Sequence, residues 1–217
     1  MRVDHRAAVA VLAACLAADL AAQDSKNPAR TGRRTPLPRA QEVALARSAA
    51  PASVSDSATI WVFTDSGYVV AATGSNGVAC YVSRSWPQSL EPHCFDAEGA
   101  ATILRIHMKE VELLHRGTTV TETDRVVGEQ LASGALRLPR RPAMSYMMSG
   151  GQHLINDNGR PIGNWRPHIM IYYPYLEATD LYRGATDMAA GTVAGAGSAT
   201  SSIVFLAADF VRVKPSP

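Results

Sequence analysis

Residues 144–175 read MSYMMSGGQHLINDNGRPIGNWRPHIMIYYPY, two runs of alternating side chains on either side of Asn156-Asp157-Asn158-Gly159. Asn-Gly is the strongest short hairpin signal, because both turn positions tolerate a positive φ. With those residues at the turn centre, His153 faces Asn164, Ser149 faces His168 and Ser145 faces Tyr172. One face of the hairpin then carries Met144, Tyr146, Met148, Leu154, Trp165, Ile169, Ile171 and Tyr173. The other carries Ser145, Ser149, His153, Asn164, Arg166, His168 and Tyr172. This separation is expected of an antiparallel sheet that buries its first face and wets its second. Pro161 and Gly163 leave room for a longer loop and a shifted register.

The polar face is the one constellation with candidate catalytic chemistry: Ser149 as nucleophile, His153 or His168 as base, and Arg166 as anion stabiliser. In this register His153 and His168 lie about 13 Å apart along the strand. That is too far to share a metal ion, whose nitrogen ligands sit at about 2 Å. A loop four residues longer would bring them opposite each other. An ordinary solvated sheet face is the plainer account of the same residues. His107 and His115 fall at positions that read as exposed. The chain has no H-E-x-x-H, no G-x-S-x-G and no glycine-rich phosphate loop. The residues therefore imply no cofactor and no metal. Met144, Met147, Met148 and Met170 read as core filling rather than a copper site.

Upstream, Thr59 to Phe63, Tyr68 to Thr73 and Val78 to Ser83 read as three strands of a tight antiparallel meander. Residues 40–49 are strong helix formers stopped by Pro51. The stretch 84–98, with Trp86-Pro87 and Pro92, reads as a loop. Leu104, Ile106 and Met108 alternate with Arg105, His107 and Lys109, as in a half-exposed strand, with a short helix over 110–115. Thr121-Glu122-Thr123-Asp124 resembles the start of a capped helix that Gly134 ends. Downstream, residues 184–202 are almost all Gly, Ala, Ser and Thr and read as a loop, with a buried strand over 202–213. The expected architecture is α+β: a single domain over 40–217 with a largely antiparallel sheet, meander plus long hairpin, and two or three helices.

The first residues set a compartment. Arg2 and Arg6 precede an apolar run from Ala7 to Ala18, too short to span a bilayer, which takes roughly 20 residues. Residues 1–22 read as a signal peptide cut after Ala22. Leu12-Ala13-Ala14-Cys15 also resembles a lipobox, in which Cys15 would carry a lipid anchor. Residues 23–39 hold Lys26, Arg30, Arg33, Arg34 and Arg39 among prolines and read as a basic flexible tail, either solvated or adhering to anionic surfaces. Outside the leader, Cys80 and Cys94 are the only cysteines, and in an oxidising compartment they are expected to form one disulfide. They lack the C-x-x-C spacing of a zinc site.

Charged residues make up 18% of the chain and apolar ones 47%, the balance of a folded globule, and the net charge of +2 gives no reason to expect nucleic acid. Ser145-Tyr146-Met147-Met148-Ser149 and Pro167-His168-Ile169-Met170-Ile171-Tyr172-Tyr173-Pro174-Tyr175 resemble segments of uncharacterised exported bacterial proteins, over about residues 40–180. That resemblance implies a periplasmic or extracellular setting, or an envelope one, and carries over no activity and no site. The expectation is a non-enzymatic exported domain that binds a small molecule or envelope component, with Tyr and Trp residues of its sheet lining a pocket. The alternatives are a secreted hydrolase built on the hairpin cluster and a lipid-anchored structural lipoprotein.

Overall fold

The computed structural model describes residues 30–156, 158–181 and 191–213. The β-branched and aromatic run Thr59–Thr64 forms β1, which turns back as β2 (Gly67–Ala72). The chain then returns on the far side of β1 as β3 (Ala79–Ser83), parallel to it. Gly74 permits that return, since a Cβ there would lie 2.3 Å from the backbone of Ala58. Next come β4 (Glu91–Phe95), β5 (Ala143–Met147), a small pair β6 (Leu154–Ile155) and β7 (Pro161–Gly163), then β8 (His168–Tyr172), β9 (Thr192–Ala194) and β10 (Ser202–Leu206). The eight-stranded sheet has the order β2-β1-β3-β4-β5-β8-β10-β9, and only the β1/β3 contact is parallel. This is the expected α+β architecture with a largely antiparallel sheet, but the expected meander of the first three strands does not form: β3 crosses over to pair with β1 in parallel instead of turning back beside β2.

Helices cover both faces. On one face α1 (Arg39–Arg47) packs Leu45 and Ala46 over Ile60, Cys80, Val82 and Cys94; the short α2 (Ala52–Ser55) follows it. On the other, α3 (Ala97–Ala101) and α4 (Ile103–His115) lie over Tyr81, Phe95, Ala143 and Tyr172. α5 (Val120–Ala132) packs outside α4, and α6 (Ala178–Leu181) is a single turn. Residues 104–109, expected as a strand, belong to α4. Leu104, Met108, Val111 and His115 recur at helical spacing, a period that a six-residue window of alternation hides. The cap of α5 also lies two residues before the expected one: Thr119 Oγ1 accepts from the Glu122 amide at 3.2 Å. Gly134, at φ +78°, follows the end of α5 as expected.

The stretch expected as a loop over 84–98 contains β4, a central strand despite Pro92. Cys80 and Cys94 are directly opposed in β3 and β4 with Cα atoms 4.0 Å apart, as in a non-hydrogen-bonded pair, and they form the expected disulfide. Two residues along, Val82 and Pro92 form the same kind of pair, so the proline nitrogen faces away from β3. On that side β4 pairs with β5 only at Cys94 and Phe95, and no ladder bond is lost.

The hairpin differs from expectation in two respects. Ala143 opposes Tyr172 and Met147 opposes His168, a shift of two residues, because residues 148–167 leave the sheet and the Asn156–Gly159 turn closes only β6 and β7. An even shift keeps each residue on its face. The burial is inverted, however: Ser145 and His168 are fully buried, whereas Met144, Tyr146, Ile169 and Ile171 are half-buried. The cause is helix placement. α3 and α4 cover the Ser145 face, while α1 covers the opposite face only over β1, β3 and β4.

The basic segment expected as a tail is built into the domain from Arg30 onward. Arg34 is 1% exposed and donates to the carbonyls of Arg30, Gly32, Arg84 and Ser85. The expected leader over 1–22, Cys15 and residues 23–29 lie outside the described residues. The small-residue stretch 184–202 includes β9, whose Thr192 and Val193 pair with β10, and β10 stops at Leu206 rather than running to 213. Among the described residues no helix is long and apolar enough to cross a membrane.

Candidate functional site

A groove of about 370 Å³ runs beside α4 across the sheet. The helical period places His107, Glu110, Val111 and Leu114 on one side of α4, and they form one wall. The floor crosses the sheet from Ser83 and His93 through Met147, Met170 and Tyr172 to Ser202 and Ala194. Six strands at about 4.8 Å spacing give it a length on the order of 20 Å. The rest of the lining comes from Arg30, whose segment is tied to the C-terminal end of α4, from Trp86, and from the excursion between β5 and β8, which contributes Leu154, Ile155 and Trp165.

Several buried polar atoms at this groove have no partner among the described residues: His93 Nδ1, Ser202 Oγ and Arg30 Nε. His93 is 6% exposed and Ser202 fully buried. Buried polar groups are normally satisfied, and leaving one unpaired costs about 1–3 kcal/mol. Close by, His168 Nδ1 donates to the Arg166 carbonyl at 2.7 Å; a carbonyl only accepts, so the proton is on Nδ1 and Nε2 is a bare acceptor. Nε2 is buried without a partner too. The His168 ring braces Trp165 at 5.5 Å between centroids.

Burial keeps the imidazoles neutral. It lowers His93 well below the usual histidine range, with His107 and His168 adding to the effect, and lowers His107 to about 4. His168 is lowered by burial as well. His107 Nδ1 lies 3.3 Å from the Tyr81 hydroxyl. Burial pushes the Glu110 carboxyl up to about 7, Arg30 pulling it down and Asp124 adding to the rise. Its folded form therefore holds a proton that the unfolded form releases, and stability contributed below pH 4.5 is lost as pH rises through about 7. Glu110→Gln should raise the thermal midpoint above pH 7, with the gain vanishing towards pH 4.5; equal gains at both ends in a pH-resolved melting series would refute this. Burial of neutral His93 and His107 acts in the opposite sense, so acidification from 6.5 towards 4 removes the same histidine contribution from both proteins, and the difference between them reports Glu110 alone.

The four residues singled out from the hairpin do not assemble. Ser149 Oγ is buried in a 2.6 Å hydrogen bond with Ser48 Oγ after α1. His153 is exposed and only its backbone bridges Leu90, and Arg166 is exposed. His168 alone is brought beside the groove, next to Trp165. Among the described residues the one hydrogen bond between any two of the four is that from His168 Nδ1 to the Arg166 backbone carbonyl, and none joins two of their side chains. His107 is half-buried on the groove wall rather than exposed, and His115 is buried, accepting from the Arg34 amide at 3.0 Å. A helical reading of 103–115 would have put His107 and Glu110 on one face, while nothing local marks His93 or Ser202. Among the described residues no three His, Cys, Asp or Glu side chains could hold a metal ion. No family model matches the chain, and no curated protein or solved structure is significantly similar to it.

Proposed function

We propose that this protein is an exported, non-catalytic binding domain whose ligand, a small molecule or envelope component, lies in the groove beside α4. The observation that carries the reading is the pair of buried, unpartnered atoms His93 Nδ1 and Ser202 Oγ in the floor of an aromatic-walled groove. A fold bears that cost where a ligand supplies the missing partners. The buried Cys80–Cys94 bridge supports assembly in an oxidising compartment, in keeping with the basic and apolar leader.

A thermal-shift screen of the oxidised protein against sugars, lipids, nucleotides and metals tests the site, because a ligand of the native state raises the melting point by mass action. Ala194→Trp, at the edge-strand end of the floor, should abolish the shift by filling the groove. A shift retained in full by both Ala194→Trp and His93→Phe would place the ligand elsewhere and refute the reading.

A further inference from the structure

From the distribution of hydrogen-bonding groups along the groove, and resting on the binding reading above, we infer that the ligand is a short neutral oligosaccharide. The unpartnered atoms lie at separated points of the floor, His93 on β4 and Ser202 on β10, three strands apart, about 14 Å. A ligand satisfying both carries polar groups along its length rather than at one end. An acyl chain would dehydrate these atoms without pairing them. An extended peptide is recognised through its backbone at a free strand edge; here the floor is the face of a sheet whose central strands are already paired on both sides.

Charge narrows the class further. Arg30 faces the groove together with the carboxyls of Glu91 and Glu110, so neither an anion nor a cation meets a uniformly complementary surface. The imidazoles of His93 and His107 are neutral, each with one donor and one acceptor nitrogen. Hydroxyl groups, which donate and accept at once, match such partners. Trp86 and Trp165 both line the groove; Trp86 is buried, and the exposed indole of Trp165 suits the apolar C–H face of a pyranose ring. Trp165 is 43% exposed but held by the His168 ring, so it offers a flat surface without needing to be ordered on binding.

Tryptophan fluorescence titrations of the oxidised full chain with cellotetraose, xylotetraose, mannotetraose and chitotetraose test the assignment, with laurate and tetraalanine as the competing classes. At least one sugar should give a saturable change, weakened tenfold or more in Trp165→Ala and in His93→Ala. Circular dichroism at the assay temperature confirms that each variant is folded, and Trp165→Ala, at an exposed position, serves if His93→Ala does not fold. No saturable change with any of the four sugars would overturn the inference, as would sugar binding of parental strength in Trp165→Ala. Binding of laurate or the peptide, blocked by Ala194→Trp, would overturn the sugar assignment while leaving the groove as the binding site.

Discussion

Glu42→Ala is expected to lower the free energy of unfolding by about 3–5 kcal/mol, the cost of leaving a buried charge without its partner. Glu42 and Arg84 are fully buried and joined by two hydrogen bonds of 2.9 and 2.8 Å. The carboxylate also accepts from the Phe63 amide at 2.8 Å, so its removal strands a β1 donor as well as a guanidinium. The Arg84 guanidinium lies over the Phe63 ring, and its carbonyl accepts from Arg34, which ties the segment before α1 into the sheet. Replacing both charges together, Glu42→Met with Arg84→Met, should cost less than the single change, since no lone charge remains buried. Urea unfolding with an unchanged slope checks both statements. A Glu42→Ala loss below about 1 kcal/mol would show that the pair is not a load carried by the core.

The second large effect concerns the sulfur bridge. Cys80→Ala with Cys94→Ala should cost about 3 kcal/mol in the chain-entropy model, given a sequence separation of 14. Both cysteines are fully buried between the sheet and α1, so a reductant needs local opening to reach them. The reduced protein should also be the less stable one in denaturant. Equal midpoints for oxidised and reduced protein would contradict this account of the bridge.

What could be read from the residues follows from how locally each feature is encoded. β1, β2 and β3 were legible because β-branched and aromatic runs alternate with short polar turns, and the disulfide because the two cysteines stand alone outside the leader. The Asn156–Gly159 turn was correctly placed, but its strands were not: β5 and β8 stop pairing at Met147 and His168, and a turn signal says nothing about how far pairing extends. Which face of β5 and β8 is buried depends on where α4 lies, a matter of tertiary packing that alternation leaves open. The site was hidden for the same reason. His93 lies on a strand interrupted by Pro92, Ser202 at the end of a small-residue stretch, and His107 in a segment whose short-range alternation imitates a strand. Only the fold brings them to one groove.

The most direct test of the groove is the stability of the ligand-free Ser202→Ala variant. An unpartnered buried hydroxyl held for a ligand predicts that its removal stabilises the empty protein, by about 1 kcal/mol in urea unfolding. A loss of about 1 kcal/mol instead, the signature of a broken internal hydrogen bond, would contradict the account.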